Sequence, residues 1–143
     1  MIKRDFTVEI KAPLEKVFAY TTDFHNFVTW QDGVLEAAQS PDGPTQLGTT
    51  FRLVRTFLGQ RLEAAGAVTE FIPGQKCAFK TTAGPIQLNV TQDFQPIPAG
   101  TRLTVHLEAE PGGFFKLAQG ALDRQLNAAF EAQVQKLKSV LEA

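Results

Sequence analysis

Two periodicities divide this chain, and their order leaves few folds open. From about Gly113 onward, Phe114, Leu117, Ala121, Leu122, Leu126, Ala129, Phe130, Val134, Leu137 and Leu141 form one apolar stripe at helical spacing. Lys116, Asp123, Arg124, Asn127, Glu131, Lys138 and Glu142 cover the opposite side. Gly120 weakens this helix near its start and permits a bend. A helix of roughly 28 residues is about 42 Å long, slightly more than a ten-residue strand at about 34 Å. Most of the chain before it alternates with period two. An antiparallel sheet with one apolar face needs a cover, and only this last helix is long enough to provide one.

The strands can be read one by one. RDFTVEIKA sets Phe6, Val8 and Ile10 against Thr7, Glu9 and Lys11. Pro13 opens a helix whose first turn carries Glu15 and whose apolar side is Val17, Phe18 and Tyr20. Asp23 is the expected cap of a second short helical turn, FHNFVTW. A short strand, VLEAAQ, and a turn-rich loop, SPDGPTQLG, lead to the hairpin GTTFRLVRTFLGQRLEAAGAV. Gly59-Gln60 suits a type II′ turn there. That turn pairs Phe57 with Leu62, Arg55 with Ala64, Leu53 with Gly66 and Phe51 with Val68, all on one face. QKCAFKT then points Cys77 and Phe79 one way. IQLNVTQDF turns Ile86, Leu88, Val90, Gln92 and Phe94 inward, and TRLTVHLEA does so with Leu103, Val105 and Leu107.

The expected fold is α+β. A curved antiparallel sheet of about six to seven strands wraps around the long C-terminal helix, with two short helices after the first strand. Such a sheet cannot close tightly at both ends. The short helices cap one end and leave a cavity between sheet and helix. With no repeat or linker, residues 1–143 read as one domain. The outward face of the hairpin carries Val54, Leu58, Ala65 and Ala67, and a weak homodimer through that face is expected.

A net charge of -1 lacks the basic field that nucleic acid or an anionic membrane needs as a main partner. MIKRDFTVEI has no apolar core of a signal peptide, and no apolar run is long enough to span a bilayer. The single cysteine, Cys77, permits no internal disulfide. The cytoplasm is the expected location.

Catalytic groups are few. Ser40 lies in a loop and Ser139 near the chain end, and neither sits in a nucleophile elbow. A zinc site would need His25, His106 and Cys77 together, and the strand phases turn His106 away from Cys77. No metal and no cofactor are expected. Cys77 reads as a small buried hydrophobe, His106 as an exposed histidine and His25 as a neighbour of the cavity mouth. The expected cavity wall is aromatic and aliphatic: Phe27 and Trp30 near the entrance, Leu53, Phe57, Phe79, Leu88 and Val90 on the strands. From the last helix only its N-terminal part is expected there, through Phe114, Phe115 and Ala118. Arg55 and Gln92 break the pattern, because both sit mid-strand in the apolar phase. A buried arginine requires a partner. Three readings stand open: Arg55 orients a ligand, snorkels to the rim, or pairs with a carboxylate such as Glu70.

Three stretches, VEIKAPLEKVFAYTTDFHNFVTW, LGTTFRLVRTFLGQRLEAAGAVTEFIPG and GTRLTVHLEAEPGG with the helix after it, resemble the START/SRPBCC superfamily. The likeness is strongest to its polyketide cyclase/dehydrase-type branch. It implies the helix-grip fold over nearly the whole chain and a small hydrophobic molecule as partner. It implies no catalytic residue, since the superfamily shares no catalytic motif. The leading expectation is non-enzymatic binding, carriage or sensing of a lipid, quinone or polyketide-like compound. The alternatives are a cyclase or dehydratase in which His25, Arg55 or Glu70 moves protons, and a protein-interaction module with an incidental cavity.

Overall fold

The computed structural model describes residues 2–57, 59–112 and 114–143. β1 (Ile2–Ile10) leads into α1 (Leu14–Thr22), a 3-10 turn (Phe24–Asn26) and the single-turn helix α2 (Phe27–Trp30). Next come β2 (Val34–Ser40), β3 (Thr50–Phe57), β4 (Gln60–Ile72), β5 (Lys76–Ala83), β6 (Ile86–Ile97) and β7 (Gly100–Pro111). α3 (Phe114–Leu117) and α4 (Gln119–Glu142) end the chain. The seven described strands form one antiparallel sheet in the order β1-β7-β6-β5-β4-β3-β2. Consecutive strands pair throughout, except that β1 joins the far side of β7. The register of β4 slips between Ala65 and Gly66 and again between Val68 and Glu70. Irregularities of this kind bend a strand, and they let the sheet curl around its cover.

That cover is α4, as the periodicity predicts. Leu122, Leu126, Phe130, Val134, Leu137 and Leu141 are buried three or four residues apart. Phe130 stacks on Phe6 of β1 with ring centroids 5.4 Å apart. Arg4 clasps Asp123 through two hydrogen bonds of 3.1 and 2.8 Å, and Lys138 donates to the Glu9 carbonyl at 2.7 Å. Both contacts are exposed, so they orient the helix more than they stabilise it. At the other end of the core, Asp23 caps the 3-10 turn by accepting from the His25 backbone N–H at 3.0 Å. Phe18 packs edge-on against Phe71 and Phe94 there.

Two expectations are corrected. The last helix is not continuous: it breaks at Ala118 (φ −103°, ψ 30°), not at Gly120. The break resets the rotation, so Leu117 leaves the stripe and is 92% exposed. The hairpin register is two residues from the expected one. Phe57 pairs with Gln60, Arg55 with Leu62, Leu53 with Ala64 and Phe51 with Gly66. Gly59, with φ +74°, takes the second central turn position, where positive φ is needed, and not the first. A shift of two keeps every residue on its face. Val54 is fully buried on the outer side of β3, outside the main core. It lies between its cross-strand partners Glu36 and Glu63. Around them Arg52 and Arg61 both contact Glu63, and Arg61 also reaches Glu36. Val54, on the face expected to pair two copies, is thus flanked by charged side chains, and Leu58 lies outside the described residues.

Candidate functional site

A cavity runs between the concave face of the sheet and the middle of α4. Its volume, taken over the centres of water-sized spheres, is about 80 Å³. One water needs about 10–15 Å³ on that measure, so the space suits several waters or a small molecule. The wall is mostly apolar. Phe27 and Trp30 enter from α2, Phe51, Leu53 and Phe57 from β3, Phe79 from β5, and Leu88 and Val90 from β6. Phe24 stacks on Phe51 at 4.4 Å, and Phe79 meets Phe51 edge-on at 5.4 Å. Interlocked rings of this kind make one side of the cavity stiff.

Arg55 also lines this cavity and is half-buried. Its Nη2 donates to Gln31 Oε1 at 3.0 Å. Gln31, 6% exposed, follows α2 and lines the same cavity. Glu70, the expected carboxylate partner, binds Lys76 at 3.0 Å and is exposed. So Arg55 does not meet that carboxylate; its partner is a neutral amide. Burial pushes its guanidinium down to about 10, which leaves it cationic near neutral pH. Among the described residues of the cavity wall, Arg55 is the sole ionisable side chain.

Two further polar atoms stand out. Gln92 is 2% exposed, and its Oε1 has no hydrogen-bond partner among the described residues. The same holds for Nε1 of Trp30, 3% exposed. Both side chains belong to the cavity wall.

Nine of the residues singled out in the sequence thus come together: Phe27, Trp30, Leu53, Arg55, Phe57, Phe79, Leu88, Val90 and Gln92. The side chains of Phe114 and Phe115 lie outside the described residues. Ala118 does not line the cavity; its carbonyl accepts from Leu122 N–H at 2.9 Å and starts α4. The helix touches the cavity further on, through Leu126, Ala129, Phe130, Gln133 and Val134. Gln133 was legible, because it stands seven residues after Leu126 in the buried phase. Gln31 carried no such signal.

The candidate proton carriers lie elsewhere. His25 Nδ1 contacts Asp23 at 3.0 Å, half-exposed and off the cavity wall. His106 is not a lone surface histidine: on the outer face its ring nitrogens meet Asp5 at 2.7 Å and Asp93 at 3.0 Å. No group of three or more His, Cys, Asp or Glu side chains able to hold a metal gathers among the described residues. Nor, among them, is any helix long and apolar enough to cross a membrane. Cys77 is fully buried, and burial pushes its thiol up to about 12. Because the thiolate is the reactive form, iodoacetamide at pH 8 should leave the native protein unlabelled and label it in guanidinium chloride. Full labelling of the native protein, read by mass spectrometry, would contradict this placement.

A curled antiparallel sheet, closed by one long helix and capped by short ones over an apolar cavity, is the helix-grip fold of START-like proteins. The chain belongs to the polyketide cyclase / dehydrase and lipid transport family, which it matches over residues 1–142. Among solved structures it is similar to a START superfamily protein from Mycobacterium smegmatis, with a TM-score of 0.79 and 19% identity over 98% of this chain and 97% of that one. It is also similar to the Zhui aromatase/cyclase from Streptomyces sp. R1128, with a TM-score of 0.79 and 14% identity over 98% and 93%. A third, the protein TTHA0849 from Thermus thermophilus, gives a TM-score of 0.79 and 18% identity over 96% and 94%. At such identities the likeness carries the fold alone. No curated protein matches the sequence.

Proposed function

We propose that this protein binds a small apolar molecule bearing an acidic group, for carriage, sequestration or sensing, and holds it in the cavity through Arg55. The observation that carries the reading is a cation in an apolar wall whose partner is the neutral Gln31. A desolvated charge without a counter-charge costs stability. An anionic ligand group offsets that cost and gains charge-assisted hydrogen bonds. The family supports hydrophobic-ligand binding or a cyclase role. Binding is favoured here because His25 and Glu70 stand off the described wall, which leaves no carboxylate or imidazole there to move a proton.

The test is a titration of 4-propylbenzoate and the isosteric neutral 4-propylbenzamide. The wild-type protein should prefer the acid. Arg55→Met keeps much of the apolar stem, so the fold should survive or gain stability. Acid binding should weaken by about 1.5–3 kcal/mol, the scale of hydrogen bonds to a charged group, while the amide binds about as before. Equal loss for both probes with a lowered melting temperature would make Arg55 a structural residue.

A further inference from the structure

Arg55 leaves part of the cavity's polarity unused. Trp30 Nε1–H can only donate, and Gln92 Oε1 can only accept. Both are more than nine-tenths buried, and neither has a partner among the described residues. Buried polar groups are nearly always satisfied, and an unmade hydrogen bond costs more than a made one returns. Gln92 also sits apart from the cation in the fold. It is on β6, three strands from Arg55 on β3 in the sheet order, whereas Trp30 ends α2 and directly precedes Gln31, the partner of Arg55. Gln92 pairs across the ladder with Cys77 and Val105, both buried; Val105 carries no donor, and the Cys77 thiol, a weak donor, makes no hydrogen bond to Gln92 Oε1.

We infer that the cavity selects a hydroxylated ligand: an apolar acid that also carries an O–H group away from its acid end. A hydroxyl both donates and accepts. It can give its proton to Gln92 Oε1 and accept from an N–H, and Trp30 supplies one on the same wall. A purely hydrocarbon acid, such as a fatty acid, leaves both groups unpaired. The inference rests on the Arg55 reading for the acid end only. The hydroxyl end stands on Gln92 and Trp30.

The probes are 2-naphthoate and a panel of its ring-hydroxylated isomers, titrated against the wild-type protein and against Gln92→Leu, Gln92→Met and Trp30→Phe. At least one hydroxylated isomer should bind the wild type about tenfold more tightly than the parent acid. Gln92→Leu and Gln92→Met should abolish that gain and leave parent binding equal or stronger. Trp30→Phe, which keeps a ring and loses the N–H, should reduce it. Thermal melts identify any variant that has not folded, and the two Gln92 substitutions back each other. If no isomer gains, or the gain survives at Gln92→Leu and Gln92→Met, the inference is overturned. A wild-type preference for acid over amide persisting in that case would leave the Arg55 reading intact, so the two failures are distinguishable.

Discussion

Replacing Phe130 with alanine should cost the fold about 3–5 kcal/mol, the range for emptying a buried aromatic site. The ring stacks on Phe6 at 5.4 Å and is 8% exposed, so it joins α4 to β1 through the core. One side of Phe130 already faces the cavity. The neighbours on that side cannot collapse onto the space it vacates without closing the cavity itself. Glu131, the next residue, points to solvent, and its alanine variant should melt within about 0.5 kcal/mol of wild type. Denaturant melts of the two variants make the comparison. Two equally mild substitutions would mean that the sheet does not grip this helix.

The second large effect is expected at Gly66. An alanine Cβ there would stand 2.2 Å from the Lys80 carbonyl oxygen and 2.4 Å from Cζ of Phe51. The first obstacle is backbone of the paired strand β5. The second is a ring held in the Phe24 stack. Neither can yield cheaply, so Gly66→Ala should destabilise by about 3 kcal/mol, the upper end of overpacking. Gly120→Ala is the matched control. Among the described residues its Cβ would meet only Arg124 Nη1, at 4.0 Å. The position is exposed and helical, where alanine outranks glycine by about 0.8–1 kcal/mol. The same substitution should therefore shift the melting temperature in opposite directions at the two sites. A stable Gly66→Ala protein would refute the close approach of Phe51 to β4.

How far the site was legible follows from what periodicity encodes. Alternation fixes which face a residue takes, and that survives a wrong turn. The register of β3 and β4 is two residues from expectation, yet Arg55, Leu53 and Phe57 still face the cavity. Partners are a different matter. Gln31 follows a helical turn of four residues, where no repeat fixes side-chain direction, and nothing in the order of residues links it to Arg55. Glu70 is the choice that charge alone suggests, but Lys76 holds it outside. The long stripe misleads at its start because Leu117 and Leu122 are in phase only if the helix is unbroken. The turn at Ala118 removes that condition. Polar residues inside an apolar phase, such as Gln92 and Gln133, are the readable sign of a cavity.

The most direct measurement is a crystal structure of the protein with 4-propylbenzoate. The predicted result places the propylphenyl group between α4 and the Phe51–Phe79 wall, with the carboxylate within hydrogen-bonding distance of the Arg55 guanidinium. A probe found only on the surface, or one seated in the cavity with its carboxylate turned away from Arg55, would contradict the account.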